Sequence, residues 1–228
     1  MRKTGTVLAM IAAVLILLEL VLPATLNGML GASLTKQFEA NNVEAETSGR
    51  PALFWLTGRI PRLQVTAVKG RLDRLAFEDL SADIQDARID LVTLLQSQRI
   101  SLRNPQKLSV RMAVSEESLA ELLRQEMKGF EQVRVQIHPE KIDISGAYGV
   151  GGVFSLPLQV EGRVETDGDT VRFAPSYFKV GGRSVRQLGS LGGKGVMLLD
   201  VKRIAVPLLI ADIQAQEGRL TIIAKERN

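Results

Sequence analysis

Between Thr4 and Thr35 the chain carries one ionisable side chain, Glu19, and Arg2 and Lys3 stand just before that gap. The apolar run from Val7 to Leu18, continued by Leu20-Val21-Leu22, predicts a helix near the roughly 20 residues that cross a hydrocarbon core of about 30 Å. Glu19 falls about 23 Å beyond Thr4 at about 1.5 Å per residue, close to the far headgroups, where a carboxylate reaches water. Arg2 and Lys3 keep the N-terminus cytoplasmic by the positive-inside rule, so everything after Pro23 is expected outside. A cleaved signal peptide begins the same way. It needs small residues one and three before the cut, and Leu22-Pro23-Ala24 offers a bulky Leu, while Gly31 and Ser33 lie far past the apolar core. A retained single-pass anchor is the favoured reading and secretion after cleavage the alternative. Both export the same domain.

Beyond Pro23, Leu26, Met29, Leu30, Leu34 and Phe38 keep helical spacing, so the helix resumes and stands above the bilayer. Residues 1–40 then form the anchor and its extension, and 41–228 the extracytoplasmic domain. Residues 41–49 read as a polar break. Pro51 opens a short apolar turn, Ala52 to Thr57, that Gly58 can stop. Strand-like alternation follows. Leu63, Val65 and Ala67 share one face, and the change of phase between Leu75/Phe77 and Leu80/Ala82/Ile84 predicts a bulge near Glu78-Asp79. Leu91 to Leu95 looks helical, and Lys107 to Val114 is a strand.

One helix is clear. Ser115 is a suitable N-cap, Glu116 and Glu117 favour the first turn, and Leu119, Leu122, Leu123 and Met127 form an apolar stripe before Gly129. From Gln132 onward the pattern is β: Val133-Val135-Ile137, then Ile142-Ile144, then a long hairpin of Val153–Glu165 and Thr170–Val180 around Asp167-Gly168. Gly-rich segments, Gly181-Gly182 and Gly189 to Gly195, bracket a loop. Strands at 204–208, 210–215 and 220–224 finish the chain. The class is α+β, with a long curved antiparallel sheet over the Ser115–Met127 helix.

Composition narrows the chemistry more than it identifies it. The net charge of +4 is spread over scattered Lys and Arg without an aromatic stacking series, which argues against nucleic acid and fits weak attraction to anionic lipid. Cysteine is absent, so an exported domain relies on its core alone. The one histidine, His138, lies in a Pro-containing turn and reads as a surface residue. Zinc lacks ligands, and Asp167-Gly168-Asp169 lacks the further oxygens of a calcium loop. No catalytic group, metal or cofactor is therefore assigned. A carboxylate pair such as Asp83 and Asp86 is all that a hydrolase reading has. Phe54 and Trp55 are candidate membrane-contact residues, with a plug at one end of the core as the favoured alternative. The Leu119-Leu122-Leu123-Met127 stripe is core first, and otherwise the wall of a cavity for acyl chains.

The order of motifs carries more. Phe54-Trp55-Leu56-Thr57-Gly58-Arg59 follows an N-terminal apolar segment, and a strand ends at Val68-Lys69-Gly70. Leu91-Val92-Thr93-Leu94-Leu95 comes next, and Val114 to Leu119 opens a helix. Thr166-Asp167-Gly168 then lies between strands, and Ile204-Ala205-Val206-Pro207 precedes a closing Gln216-Glu217-Gly218-Arg219-Leu220. From Pro51 to the C-terminus this resembles the LmeA family of exported phospholipid-binding proteins. It departs at Pro207-Leu208-Leu209-Ile210, where a glycine-containing turn is expected, and in the retained anchor. The resemblance implies lipid binding in the bacterial cell envelope, a part in envelope glycolipid assembly in some members, and a fold like tubular lipid-binding domains. Membrane lipids are the implied partners, and Leu119, Leu122, Leu123 and Met127 the candidate lining. The rival reading is a module that scaffolds envelope-synthesis proteins through exposed sheet edges.

Overall fold

The computed structural model describes residues 2–49, 57–97, 102–103, 105–127, 129–150, 154–185, 195–204 and 208–227. In chain order these form α1 (Arg2–Phe38), β1 (Asn42–Ser48), β2 (Arg59–Leu72), β3 (Leu75–Ile89), α2 (Leu91–Ser97), β4 (Leu102–Arg103), β5 (Lys107–Ser115) and α3 (Glu116–Glu126). There follow β6 (Phe130–Ile137), β7 (Ile142–Val150), β8 (Phe154–Thr166), β9 (Thr170–Val180), β10 (Arg183–Val185), β11 (Val196–Asp200), β12 (Leu208–Gln216) and β13 (Arg219–Glu226).

The strands make two antiparallel sheets where the sequence suggested one. A seven-stranded sheet has the order β1-β2-β3-β5-β13-β12, with β4 on β3. A six-stranded sheet has the order β10-β9-β8-β7-β6, with β11 on β9. Alternation along a strand specifies its two faces but not which sheet it joins. The sheets meet through β12 and the turn after it. Ile210 N donates to Gly168 O at 2.7 Å at the β8–β9 turn, and Gly218 N donates to Ile137 O at 3.0 Å at the end of β6. One continuous apolar core joins both sheets, α3 and the second half of α1.

Three local expectations need correction. Residues 42–48 are a strand and not a break; only Ala45 is buried, so this edge strand has almost no apolar pattern to read. The phase change near Glu78 is real, yet the register does not shift: Val68 faces Asp79 and Gly70 faces Phe77. It is absorbed by Lys69, whose φ of 50° turns the chain so that buried positions swap parity. Finally, α1 runs through Pro23 without a break, and Thr25 Oγ1 donates to the carbonyls of Val21 and Leu22 at 3.2 and 3.0 Å.

Past Pro23 the helix lies against the domain. Leu26, Leu30 and Leu34, one turn apart, are buried. Phe38 meets Phe77 edge-on with ring centres 6.4 Å apart, and Asn27 Oδ1 accepts from Thr47 N at 2.9 Å. Among the described residues no helix is long and apolar enough to cross a membrane; in α1 the side chains described are Glu19 and those from Val21 onward.

Candidate functional site

Helix α3 is the element around which an apolar site can be built. Ser115 ends β5 in extended conformation and its side chain accepts from Ser118 N at 3.3 Å, capping the helix as its sequence predicts. Glu116 Oε1 accepts from Ile137 N at 2.8 Å, which clips the first turn of α3 to β6. On another side Arg74 reaches Glu126 at 2.6 Å and Arg71 reaches Glu121 at 3.8 Å, tying the helix to the β2–β3 hairpin. These are exposed pairs, each worth about 0–1 kcal/mol. The apolar stripe holds the helix down.

That stripe is the predicted lining. Leu119, Leu122, Leu123 and Met127 are 0%, 2%, 0% and 6% exposed, and all belong to the continuous core. The structure brings the four together on the inward face of α3, which packs against β3, β5, β6 and β11. Beside them, a cleft of about 510 Å³ runs between α3 and the β6–β7 pair. Ala120, Val133 and Val135 form its apolar part, and Glu117, Glu121, Arg124 and Arg134 its charged rim. Ala120 was missed in the sequence because it is a small residue between two bulky ones, and a stripe is read from large side chains. Phe54 and Trp55 lie outside the described residues.

The outer face of the seven-stranded sheet carries clefts as well. Two adjoining clefts of about 470 and 430 Å³ share Thr66, Ser81 and Arg111 and mix polar groups with apolar ones such as Val65, Val68 and Leu80.

The candidate catalytic groups are engaged structurally. Asp86 pairs with Arg59 at 3.1 Å, and Asp83 accepts from Arg62 Nε at 3.3 Å. His138 Nδ1 lies 3.0 Å from Glu217 and Nε2 3.5 Å from Asp143, so both ring nitrogens face carboxylates and neither faces a nucleophile. This histidine joins the β6–β7 turn to the β12–β13 turn. Asp167 Oδ1 accepts from Thr170 N at 2.8 Å, Thr170 Oγ1 at 3.0 Å and Asp169 N at 3.1 Å. Those bonds from Thr170 hold its carboxyl below the ordinary range and make Asp167 the closure of the β8–β9 hairpin. Among the described residues no group of three His, Asp or Glu is placed to hold a metal ion.

Two antiparallel sheets sharing an apolar interior with one amphipathic helix define a β-rich α+β class. The chain belongs to the LmeA-like phospholipid-binding family, whose model matches residues 17–224. This agrees with the resemblance drawn from motif order, and it supports lipid as the ligand class. Comparison with curated proteins gave no match, and neither did comparison with solved structures.

Proposed function

We propose that this protein is a membrane-anchored, non-catalytic phospholipid-binding protein of the bacterial cell envelope, working on the extracytoplasmic side and assisting envelope lipid or glycolipid assembly. Membership of a phospholipid-binding family over residues 17–224 carries the reading. The apolar run from Val7 to Leu22 supports a tether within the first forty residues, and the sheets and α3 supply the lipid-binding part. Acyl chains would enter beside α3 from the cleft next to Val133 and Val135 and reach Leu119, Leu122, Leu123 and Met127.

Magnitudes favour insertion over release of the helix. Exposing four such side chains to water costs about 1.5–3 kcal/mol each, roughly 6–12 kcal/mol in all, as much as a whole domain's stability. Exchanging their protein contacts for acyl-chain contacts leaves them dry and avoids that cost. The lipid gains about 25 cal/mol for each Å² of apolar surface it hides.

The test is native mass spectrometry of the full chain, with lipid extraction, for the wild type and for Leu122→Trp. A phospholipid held at fixed stoichiometry by the wild type and lost in the folded variant supports the reading. Equal lipid in both, at the level of nonspecific carry-over, would sink it and turn attention to a scaffolding role.

A further inference from the structure

Helix α3 and strand β6 run side by side in opposite directions, and what the helix offers the strand changes along the way. Glu116 on α3 accepts from the Ile137 N–H on β6 at 2.8 Å. The Ile137 carbonyl is taken as well, by Gly218 N at 3.0 Å. Ile137 therefore turns both backbone groups away from β7, and Val135, two residues back, does likewise. His138 N, donating to Lys141 O at 2.9 Å, fixes that phase: it makes His138, Gln136 and Arg134 the residues whose backbone groups face β7.

One helical turn beyond Glu116, α3 presents Ala120 to the same cleft that Val135 lines. A glutamate satisfies Ile137, but a methyl group cannot satisfy Val135. No bond from a described residue reaches the outward N–H or C=O of Val135, although this residue is only 5% exposed. An N–H so placed is costly unless something accepts from it. The opening is one residue long. Ile137 is occupied on one side, and on the other the β6–β7 register breaks between Glu131 and Arg134, where Gln132 has a φ of 52°. That is too short for an added strand and fits a single acceptor group.

Depth identifies the group. Arg124 and Arg134 stand exposed at the rim of the cleft with Glu117 and Glu121, while Ala120, Val133 and Val135 are buried at its floor. The β6 backbone lies between the outward Arg134 and the inward Val135. Charge, then one amide, then apolar surface is the order along a phospholipid: phosphate, acyl ester, hydrocarbon. We propose that the Val135 N–H donates to an acyl-ester carbonyl of the bound phospholipid, so that this cleft selects ester-linked lipids. The inference rests on the lipid binding proposed above. It adds what an apolar lining cannot supply, a fixed depth for the glycerol. An ether-linked lipid with the same headgroup and chains has no carbonyl and leaves the N–H unmet.

The full chain in detergent is offered an equimolar mixture of diester and diether phosphatidylglycerol of equal chain length, and bound lipid is counted by native mass spectrometry. The diester form should be held about tenfold over the diether, the effect of one buried hydrogen bond left unmade. Residue-resolved amide exchange places the effect. The Val135 amide should exchange fast without lipid, slow about tenfold or more with the diester lipid, and slow much less with the diether lipid. Val135→Pro, which removes that N–H at an edge position where proline is tolerated, should erase the diester preference. Should this variant fail to fold, the exchange comparison decides alone. Equal holding of the two lipids, or an amide slowed equally by both, overturns the ester contact and leaves lipid binding standing. A diester preference that persists in folded Val135→Pro overturns its placement on β6. No lipid of either kind at fixed stoichiometry removes the binding reading as well.

Discussion

The two sheets are made of similar strands but are closed differently. In the six-stranded sheet β6 to β10 pair as successive hairpins, and only β11 skips a strand, passing β10 to lie on β9. In the seven-stranded sheet β13 returns to lie on β5, with Leu220 opposite Val114 and Arg219 opposite Ser115. Nearly half the chain intervenes, and closing that loop costs entropy before the contacts repay it. The first sheet is a sum of local decisions. The second exists only when the chain has ended, and α3 packs on strands of both.

The largest effect should come from attacking the return. Leu220 is fully buried in β13, between β5 and β12. Leu220→Asp places a charge there and should cost about 4 kcal/mol or more, abolishing the cooperative urea transition followed by circular dichroism. A surviving transition would show that the six-stranded sheet folds by itself, a sharper separation than the shared core implies. Leu123→Ala, at the shared helix, should cost about 2–5 kcal/mol and lower the urea midpoint as one transition. Two transitions instead would mean that α3 does not couple the sheets.

Smaller changes probe each sheet by itself. A Cβ at Gly162 in β8 would collide with the Ala174 carbonyl and lie 2.6 Å from the Phe173 ring, and one at Gly70 in β2 would lie 2.6 Å from the Phe77 ring, 2.7 Å from Ala40 and 2.9 Å from the Phe38 carbonyl. Gly162→Ala and Gly70→Ala should each cost about 1–3 kcal/mol by overpacking, read from urea midpoints. Ser115→Ala removes the α3 cap and should cost about 1 kcal/mol, seen as a lower Tm.

The smallest effect is in acid. Glu226 accepts from Leu108 N at 2.8 Å in the seven-stranded sheet, and that bond draws its carboxyl below its ordinary value, as Thr170 does for Asp167 in the other sheet. A carboxyl whose folded value is depressed binds its proton more readily when unfolded. Its stabilisation is therefore present above about pH 4 and is lost as pH falls through the lower folded value. Tm measured from pH 6 down to pH 3 should drop, and Glu226→Gln and Asp167→Asn should each flatten the drop. An unchanged slope in both would remove this account.

Much of this was legible from residue order. Helix α3, its cap and its inward face could be read because Ser115, two first-turn acids and a stripe at three- and four-residue spacing all agree. The β8–β9 hairpin could be read because Asp167-Gly168 sits between two alternating runs. The stripe of Leu119, Leu122, Leu123 and Met127 could be read for the same reason, and the structure sets all four on one buried face as part of the core. Edge strand β1 was not legible, since a strand that buries one alanine has no period to detect. Nor was the unshifted register around Lys69, where a single positive φ does what an extra residue would otherwise do.

What the sequence determined alone is local and periodic: an apolar N-terminal run, strand faces, one capped amphipathic helix, and a motif order that places the chain in its family. Only the tertiary structure decided that there are two sheets, that β13 returns to β5, and that α1 lies on the core. Hydrophobic burial depends on how many apolar groups a strand turns inward and is indifferent to which strand supplies the other side. Partner choice is settled by the global packing that leaves the fewest of them wet.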